Sequence, residues 1–274
     1  MGARWWAELS AREFASMDMA RAVAVLPTAA IEQHGPHLPV GVDAMIAEGM
    51  LSEAMPLVGE GVEALVLPVQ AVGKSNEHVW APGTLTLTAE GLLSAWLEIG
   101  LSVARAGARR LVIVNSHGGN LDPLGVLARE LRVRAGMLAV RCQWGSFGLP
   151  DGLIGEGEQV FGIHGGEVET ALMLHFRPDL VDMARAERFR SSAEDMAERW
   201  LRPTGGVAYG WIAKDLNPAG AVGDASKASA ETGRRVAAHQ ARGLAELVGE
   251  VATVDLERFA AFAEATGADG EARR

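Results

Sequence analysis

Four short apolar runs, each leading into a loop and then a stretch with helical spacing, constrain this chain more than any other feature. They are Arg21 to Pro27, Glu63 to Val69, Arg110 to Asn115 and Met137 to Cys142. Their hydrophobicity is continuous, as in strands buried on both faces. Apolar spacing predicts helices over 8 to 18, 43 to 55, 88 to 106 and 121 to 135. Ser10, Asp43, Thr88 and Asn120 stand where N-caps are needed, and Gly107 stands where the third of these helices should end. Further helices are expected over 167 to 175, 194 to 200 and 226 to 251. Strand, loop, helix and strand in repetition make an α/β fold. Right-handed crossovers then give a mainly parallel sheet with helices on both faces. No repeat and no linker divide the 274 residues, so one domain over 1–274 is expected, with a small, charged, frayed tail from about 267.

Charge narrows the classes of partner. The formal net charge is −10 and no basic run stands out, which argues against nucleic acid and anionic membrane as partners. No stretch reaches the ~20 apolar residues of a membrane span. The start of the chain places Trp5, Trp6, Glu8, Arg12 and Glu13 together and lacks a secretory layout. Cys142 is the sole cysteine, so no intrachain disulfide forms, and a cytoplasmic location is expected. Cys142 closes an apolar run and reads as a small buried residue.

Chemistry concentrates in loops that follow predicted strands, where α/β sheets collect ligands. The loop after the first run carries Glu32, His34, His37 and Asp43, with Gly35, Pro36, Pro39 and Gly41 stiffening the backbone. Crowding two carboxylates and two imidazoles at a strand end is costly unless they are paired with something. Mixed imidazole and carboxylate donors suit zinc, manganese or iron better than calcium or magnesium. Asp43 has two oxygens and can bridge two ions, an arrangement that needs metals ~3.5–4 Å apart. After the third run comes Asn115-Ser116-His117-Gly118-Gly119-Asn120, whose glycines let backbone approach a ligand closely. His164-Gly165-Gly166 opens a helix carrying Glu167 and Glu169. Two residues apart on a helix, these cannot share a face, so only one should reach the site. The other complements the positive helix N-terminus. The polar loop Gly73 to Thr88 brings His78, Glu77 and Trp80, and a substrate-covering role is one reading of it. Trp80, Trp144, Phe147, Phe161, Tyr209 and Trp211 are candidate pocket aromatics.

These blocks resemble the creatininase (creatinine amidohydrolase) family in kind and in order. The resemblance rests on Glu32 to Pro39 with Asp43, on Glu77-His78 with Pro82-Gly83-Thr84-Leu85, on Asn115 to Asn120, and on His164-Gly165-Gly166 with Glu169-Thr170. It implies a three-layer α/β/α sandwich with a dinuclear metal centre, zinc first, with manganese or iron as substitutes. It implies a homo-oligomer, often a hexamer, acting on a small-molecule amide or lactam. The bond cut would be a cyclic amide or another non-peptide C–N bond. By position, Glu32 and His117 resemble ligands of one metal, His34 of the other, and Asp43 the bridge. Glu169 would complete the second site, His164 would transfer the proton, and His78, Trp80, Gly118 and Gly119 would face the substrate. Creatininases place Tyr-Glu at Gly118-Gly119, that Glu being a ligand, and Trp-Asp where this chain has Val160-Phe161. A substrate other than creatinine is therefore expected. The Gly-Gly form is shared by relatives that hydrolyse formamides or trim a peptide. Cleavage of a lactone, a ring C–C bond or a C-terminal peptide bond is the alternative activity, and a non-catalytic metal binder is the remaining one.

Overall fold

The computed structural model describes residues 3–198 and 200–259. The tail from about 267 lies outside the described residues. Five strands form one sheet: β1 (Arg4–Trp5), β2 (Val23–Thr28), β3 (Ala64–Val66), β4 (Arg110–Asn115) and β5 (Leu138–Gln143). Their order is β1-β3-β2-β4-β5, and every adjacent pair is parallel. The helices are α1 (Ala11–Ser16), α2 (Val42–Ala54), α3 (Ala89–Arg105), α4 (Leu121–Ala135), α5 (Glu156–Phe161), α6 (Glu167–Phe176), α7 (Ala213–Leu216) and α8 (Ala230–Thr253). A small antiparallel pair, β6 (Arg188–Phe189) with β7 (Gly223–Asp224), lies apart from the main sheet.

Alternation along the strands divides the core in two. Val23, Val25, Val112 and Val114 point to one face, where Ile46 and Met50 of α2, Leu172 of α6, and Val236 and Leu244 of α8 cover them. Ala24, Leu26, Leu111 and Ile113 point to the other, against Leu92 and Trp96 of α3 and Leu124, Leu127 and Leu131 of α4. Each such side chain contributes about 1.5–3 kcal/mol when fully buried. This is the α/β/α sandwich with a mainly parallel sheet that the apolar runs and the resemblance implied. Helix α8 crosses α6 closely because Gly233 has no Cβ; one there would run into the Ala171 carbonyl. That crossing sets the position of α6, which matters for Glu169.

Several expectations need correction. The segment 194 to 200 is not an α-helix: a single 3-10 turn spans Ser192–Asp195, and Ser191 rather than a longer helix organises it. The stretch after Cys142 holds a short helix, α5, that the apolar spacing does not predict. Asp43 does not cap α2. Gly41 is the N-cap and Asp43 sits inside the first turn. Asn120 stands at the N-cap of α4, but its side chain makes no capping bond. Both polar side chains are taken by tertiary partners instead. Ser10 and Thr88 do cap α1 and α3. Among the described residues no helix is long and apolar enough to cross a membrane.

Candidate metal centre

Parallel strands end on a common edge, so the loops that follow them meet there. The central strands β2 and β4 are in register from Val23↔Arg110 to Thr28↔Asn115, which brings the Glu32 loop beside the His117 loop. Asn120 ties the neighbourhood together. Its Nδ2 donates to the Ala29 carbonyl at 3.0 Å and to Asn115 Oδ1 at 3.1 Å, and its Oδ1 accepts the Lys74 N–H at 3.0 Å. One side chain thus links the loops after β2, β3 and β4, which is why it is unavailable as a cap.

Glu32, His34, Asp43, His117, Glu169 and His164 converge at this edge. Asp43 lies between two imidazoles: Oδ1 is 3.2 Å from His34 Nε2, and Oδ2 is 3.3 Å from His117 Nδ1. His117 Nδ1 is also 3.3 Å from Glu32 Oε1. Glu169 Oε2 is 3.9 Å from His34 Nε2 and accepts the Gly165 N–H at 2.5 Å. Glu32, His34 and Asp43 are essentially inaccessible to solvent. The donors are oriented. His34 Nδ1–H donates to the Glu32 carbonyl at 3.0 Å, leaving Nε2 with a lone pair toward Asp43. His117 Nε2–H donates to the Lys74 carbonyl at 2.9 Å, leaving Nδ1 toward Glu32 and Asp43. Such outer bonds hold imidazoles as metal ligands. Both Glu32 oxygens, His34 Nε2 and Asp43 Oδ2 are buried without a hydrogen-bond partner. Buried orphan acceptors facing one another are expensive. Cations between them would remove that cost, so the donor set fits divalent metal.

Charge displaces the titrations accordingly. Burial alone would push the Glu32 carboxyl up, but the facing His117, His164 and His34 hold it well below its usual range. Burial would lower His34, yet Asp43 and then Glu169 and Glu32 raise it to about 10. His117 is likewise raised well above its ordinary value by Glu32 and Asp43 against its burial. His164 is lowered to about 3, by burial and then by the charge of His34. Burial pushes Glu169 up to about 7, with His34 opposing. In the metal-free pocket the facing carboxylates therefore favour protonated His34 and His117, and ligation would displace those protons.

The remaining sequence candidates occupy different places around the centre and away from it. Glu167 points away, and burial and Glu158 raise its carboxyl, so Glu169 alone of the pair reaches the centre. His78 is buried, not a surface or lid residue, with Nε2 3.4 Å from Glu32 Oε1. His164 Nδ1 is 3.5 Å from the same oxygen. Gly118 and Gly119 line the cleft above them, a cavity of about 470 Å³ closed on one side by Tyr209 and Trp211. Trp80 does not line that cleft; it packs under the Lys214 ammonium, 4.2 Å from the ring centroid. Trp144 is buried and donates to Ser116 Oγ, Phe147 packs on Gly243 of α8, and Phe161 borders a separate cavity. His37 bonds Thr170 Oγ1 at 2.9 Å and stacks on Phe189. Cys142 is half-buried, and burial pushes its thiol up to about 12. Glu77 was not singled out as a ligand, yet its Oε1 lies 3.7 Å from His117 Nε2, and it groups with Glu32 and His117. It is the only acid between Gly73 and Thr88, which was the available signal.

Comparison with known proteins agrees with this geometry. The family pattern described as "Creatininase: Creatinine amidohydrolase" matches residues 7–248. The chain belongs to the creatininase family. It is 34% identical over 226 residues to a mycofactocin precursor peptide peptidase of Mycobacterium ulcerans (strain Agy99), covering 77% of this chain and 78% of that one. It is 32% identical over 205 residues to a creatinine amidohydrolase of Pseudomonas putida, covering 68% and 74%. A solved creatininase variant of "Zn-Zn type" superposes with a TM-score of 0.72 at 26% identity, covering 91% of this chain and 98% of that one. The chain is thus a creatininase-family hydrolase, and Glu32, His34, Asp43, His117 and Glu169 fall in groups that could hold metal ions.

Proposed function

We propose that this protein is a dinuclear metal-dependent hydrolase that cleaves an amide C–N bond of a small substrate. The observation that carries the reading is Asp43, placed with one oxygen at His34 and the other at His117, among buried acceptors that have no partner. Glu32, His117 and Asp43 would hold one ion, and His34, Asp43 and Glu169 the other. Zinc is the first choice, with manganese or iron able to substitute on the same imidazole and carboxylate donors. When bound, such a pair lowers the pKa of water toward neutrality and polarises a carbonyl.

The protein's own groups do the rest. His164 Nε2–H is held by the Gln33 carbonyl at 2.7 Å, so Nδ1 faces the centre with a lone pair. Burial and the charge of His34 keep Nδ1 unprotonated at rest, so it would be free to take the proton of the attacking water. The same nitrogen then delivers that proton to the leaving amine, and imidazole returns to its starting form. Gly118 and Gly119 let the substrate approach, with Tyr209 and Trp211 supplying flat apolar surface. Trp80 is given up as a substrate contact, while His78 remains inside the site.

A second reading keeps the site and changes the substrate. Similarity to a precursor-peptide peptidase favours a peptide bond near a chain end, instead of a lactam or formamide. We take residues 1–274 as one metallohydrolase domain, working as a cytoplasmic homo-oligomer, a hexamer in the family pattern. The test is metal analysis by mass spectrometry followed by a panel of lactams, formamides and short peptides. Two ions per chain and turnover of one amide class support the proposal. Two ions with no turnover on any class would make the protein a binder and overturn the catalytic reading.

A further inference from the structure

Gln33 touches neither the proposed metals nor the cleft's solvent side, yet it contacts two imidazoles of the site in two different ways. Its side-chain amide has a fixed orientation. Oε1 accepts the Gly35 N–H at 2.9 Å, and Nε2 donates to the Gly220 carbonyl at 2.8 Å. A backbone N–H only donates and a carbonyl only accepts, so the amide cannot be reversed. Two imidazole nitrogens lie within reach of the second hydrogen on Nε2: His164 Nε2, at 3.2 Å, is itself the donor to the Gln33 carbonyl, so the hydrogen goes to the nearer His78 Nδ1, 2.7 Å away. His78 Nδ1 must accept, and the ring's proton sits on Nε2, the atom 3.4 Å from Glu32 Oε1. The backbone of Gln33 does the opposite to His164. Its carbonyl takes the Nε2–H at 2.7 Å and leaves Nδ1 bare, 3.5 Å from that same Glu32 oxygen.

We infer that Gln33 is a positioning residue that sets His78 as a hydrogen-bond donor and His164 as an acceptor on either side of Glu32. With metal bound, His34, His117 and His164 would each turn an unprotonated nitrogen to the centre, their other nitrogen being held by a backbone carbonyl, and His78 alone would turn an N–H there. That N–H is turned toward Glu32 Oε1, the oxygen that also faces His117 Nδ1, so His78 supports a ligand and is not one itself. It also keeps His78 from competing with His164 for the proton of the attacking water. The local backbone is built for this. Gly35 has φ +76°, which aims its N–H at Gln33, and Gly220 has φ +81°. A Cβ on Gly220 would lie 2.5 Å from Gln33 Oε1, so only glycine leaves room for the amide. The catalytic meaning of the device rests on the proposed hydrolase reading; the proton positions do not.

The test uses full-length, metal-free protein labelled with 15N-histidine, read at pH 8 by two-dimensional NMR that correlates ring nitrogens with ring protons. His78 is assigned with His78→Gln. Wild type is expected to show His78 protonated on Nε2. Gln33→Glu, whose carboxylate accepts but cannot donate, is expected to move that proton to Nδ1. In parallel, zinc affinity should fall about 10–100-fold in Gln33→Leu and His78→Leu, as for other outer partners of metal ligands. His78→Gln, which keeps a donor, should recover much of the loss. A wild-type His78 bare at Nε2 would overturn the inference. So would zinc affinity unchanged in Gln33→Leu. The wild-type spectrum stands even if a variant fails to fold. It also separates this inference from the hydrolase proposal, because it is measured without substrate or turnover.

Discussion

Replacing Asp43 with Asn is the most informative single change. Both carboxylate oxygens are engaged, one 3.2 Å from His34 and the other 3.3 Å from His117, and the residue is buried. Asn is nearly isosteric but neutral, and its nitrogen cannot ligate as the second oxygen does. Removing one partner from a buried charge pair costs about 3–5 kcal/mol. At 1.4 kcal/mol per factor of ten, that is a loss of about 10² to 4 × 10³ in affinity, and it applies to both ions because the group is shared. Glu169→Gln gives the contrast. Its carboxylate groups with His34 and Asp43 and not with His117, so only the second ion should weaken. The assay is isothermal titration of zinc into stripped protein, with stoichiometry checked by mass spectrometry. Asp43→Asn should lose both ions at micromolar metal, and Glu169→Gln should keep one. If Asp43→Asn lost a single ion and kept the other at wild-type affinity, Asp43 would not be the shared ligand.

Three further outcomes follow from the same geometry. His164→Asn should retain both metals and lose turnover by about 10²–10⁴, the usual worth of a general acid–base group; full rate in that variant contradicts the proton-transfer role. Gly119→Ala should weaken metal binding and activity, because its Cβ would strike the Lys74 carbonyl, Glu77 Oε1 and His117 Nε2, whereas Gly118→Ala meets nothing within 4 Å and should leave metal content unchanged. In the metal-free protein, His34 is raised from 6.5 to about 10, so the stability it lends is complete below pH 6.5 and is lost as pH rises through 10. Thermal melting of the stripped protein should therefore drop across that window more steeply than that of the loaded protein, where the neutral imidazole is the ligating form; parallel slopes would contradict the pairing of His34 with Asp43.

The four longer strands and the helix faces were legible because burial on both sides of a parallel sheet leaves a run such as Val23 to Leu26 apolar throughout. Local rules failed where tertiary contacts outbid them. Asp43 and Asn120 both have cap chemistry at helix starts, but a buried carboxylate between two imidazoles, and an amide linking three loops, are stronger claims on those side chains. The two-residue strand β1 is too short to have a period, and it exists through pairing with β3. The segment 194 to 200 had helical composition, but its described residues give the end of a capped turn and then irregular chain. Glu32, His34, Asp43, His117 and His164 were readable because ligand-type residues in glycine-rich loops after strands have few other uses. Glu77 and Gln33 were not, because their roles depend on what Gly119 and Gly220 leave open.

The central claim is that two cations share Asp43. Anomalous X-ray diffraction at the zinc edge from crystals of the zinc-loaded protein tests it directly. Two peaks about 3.5–4 Å apart are predicted, one beside Glu32 and His117, the other beside His34 and Glu169, with Asp43 reaching both. A single peak, or a pair that leaves Asp43 outside the ligand set, would contradict the account.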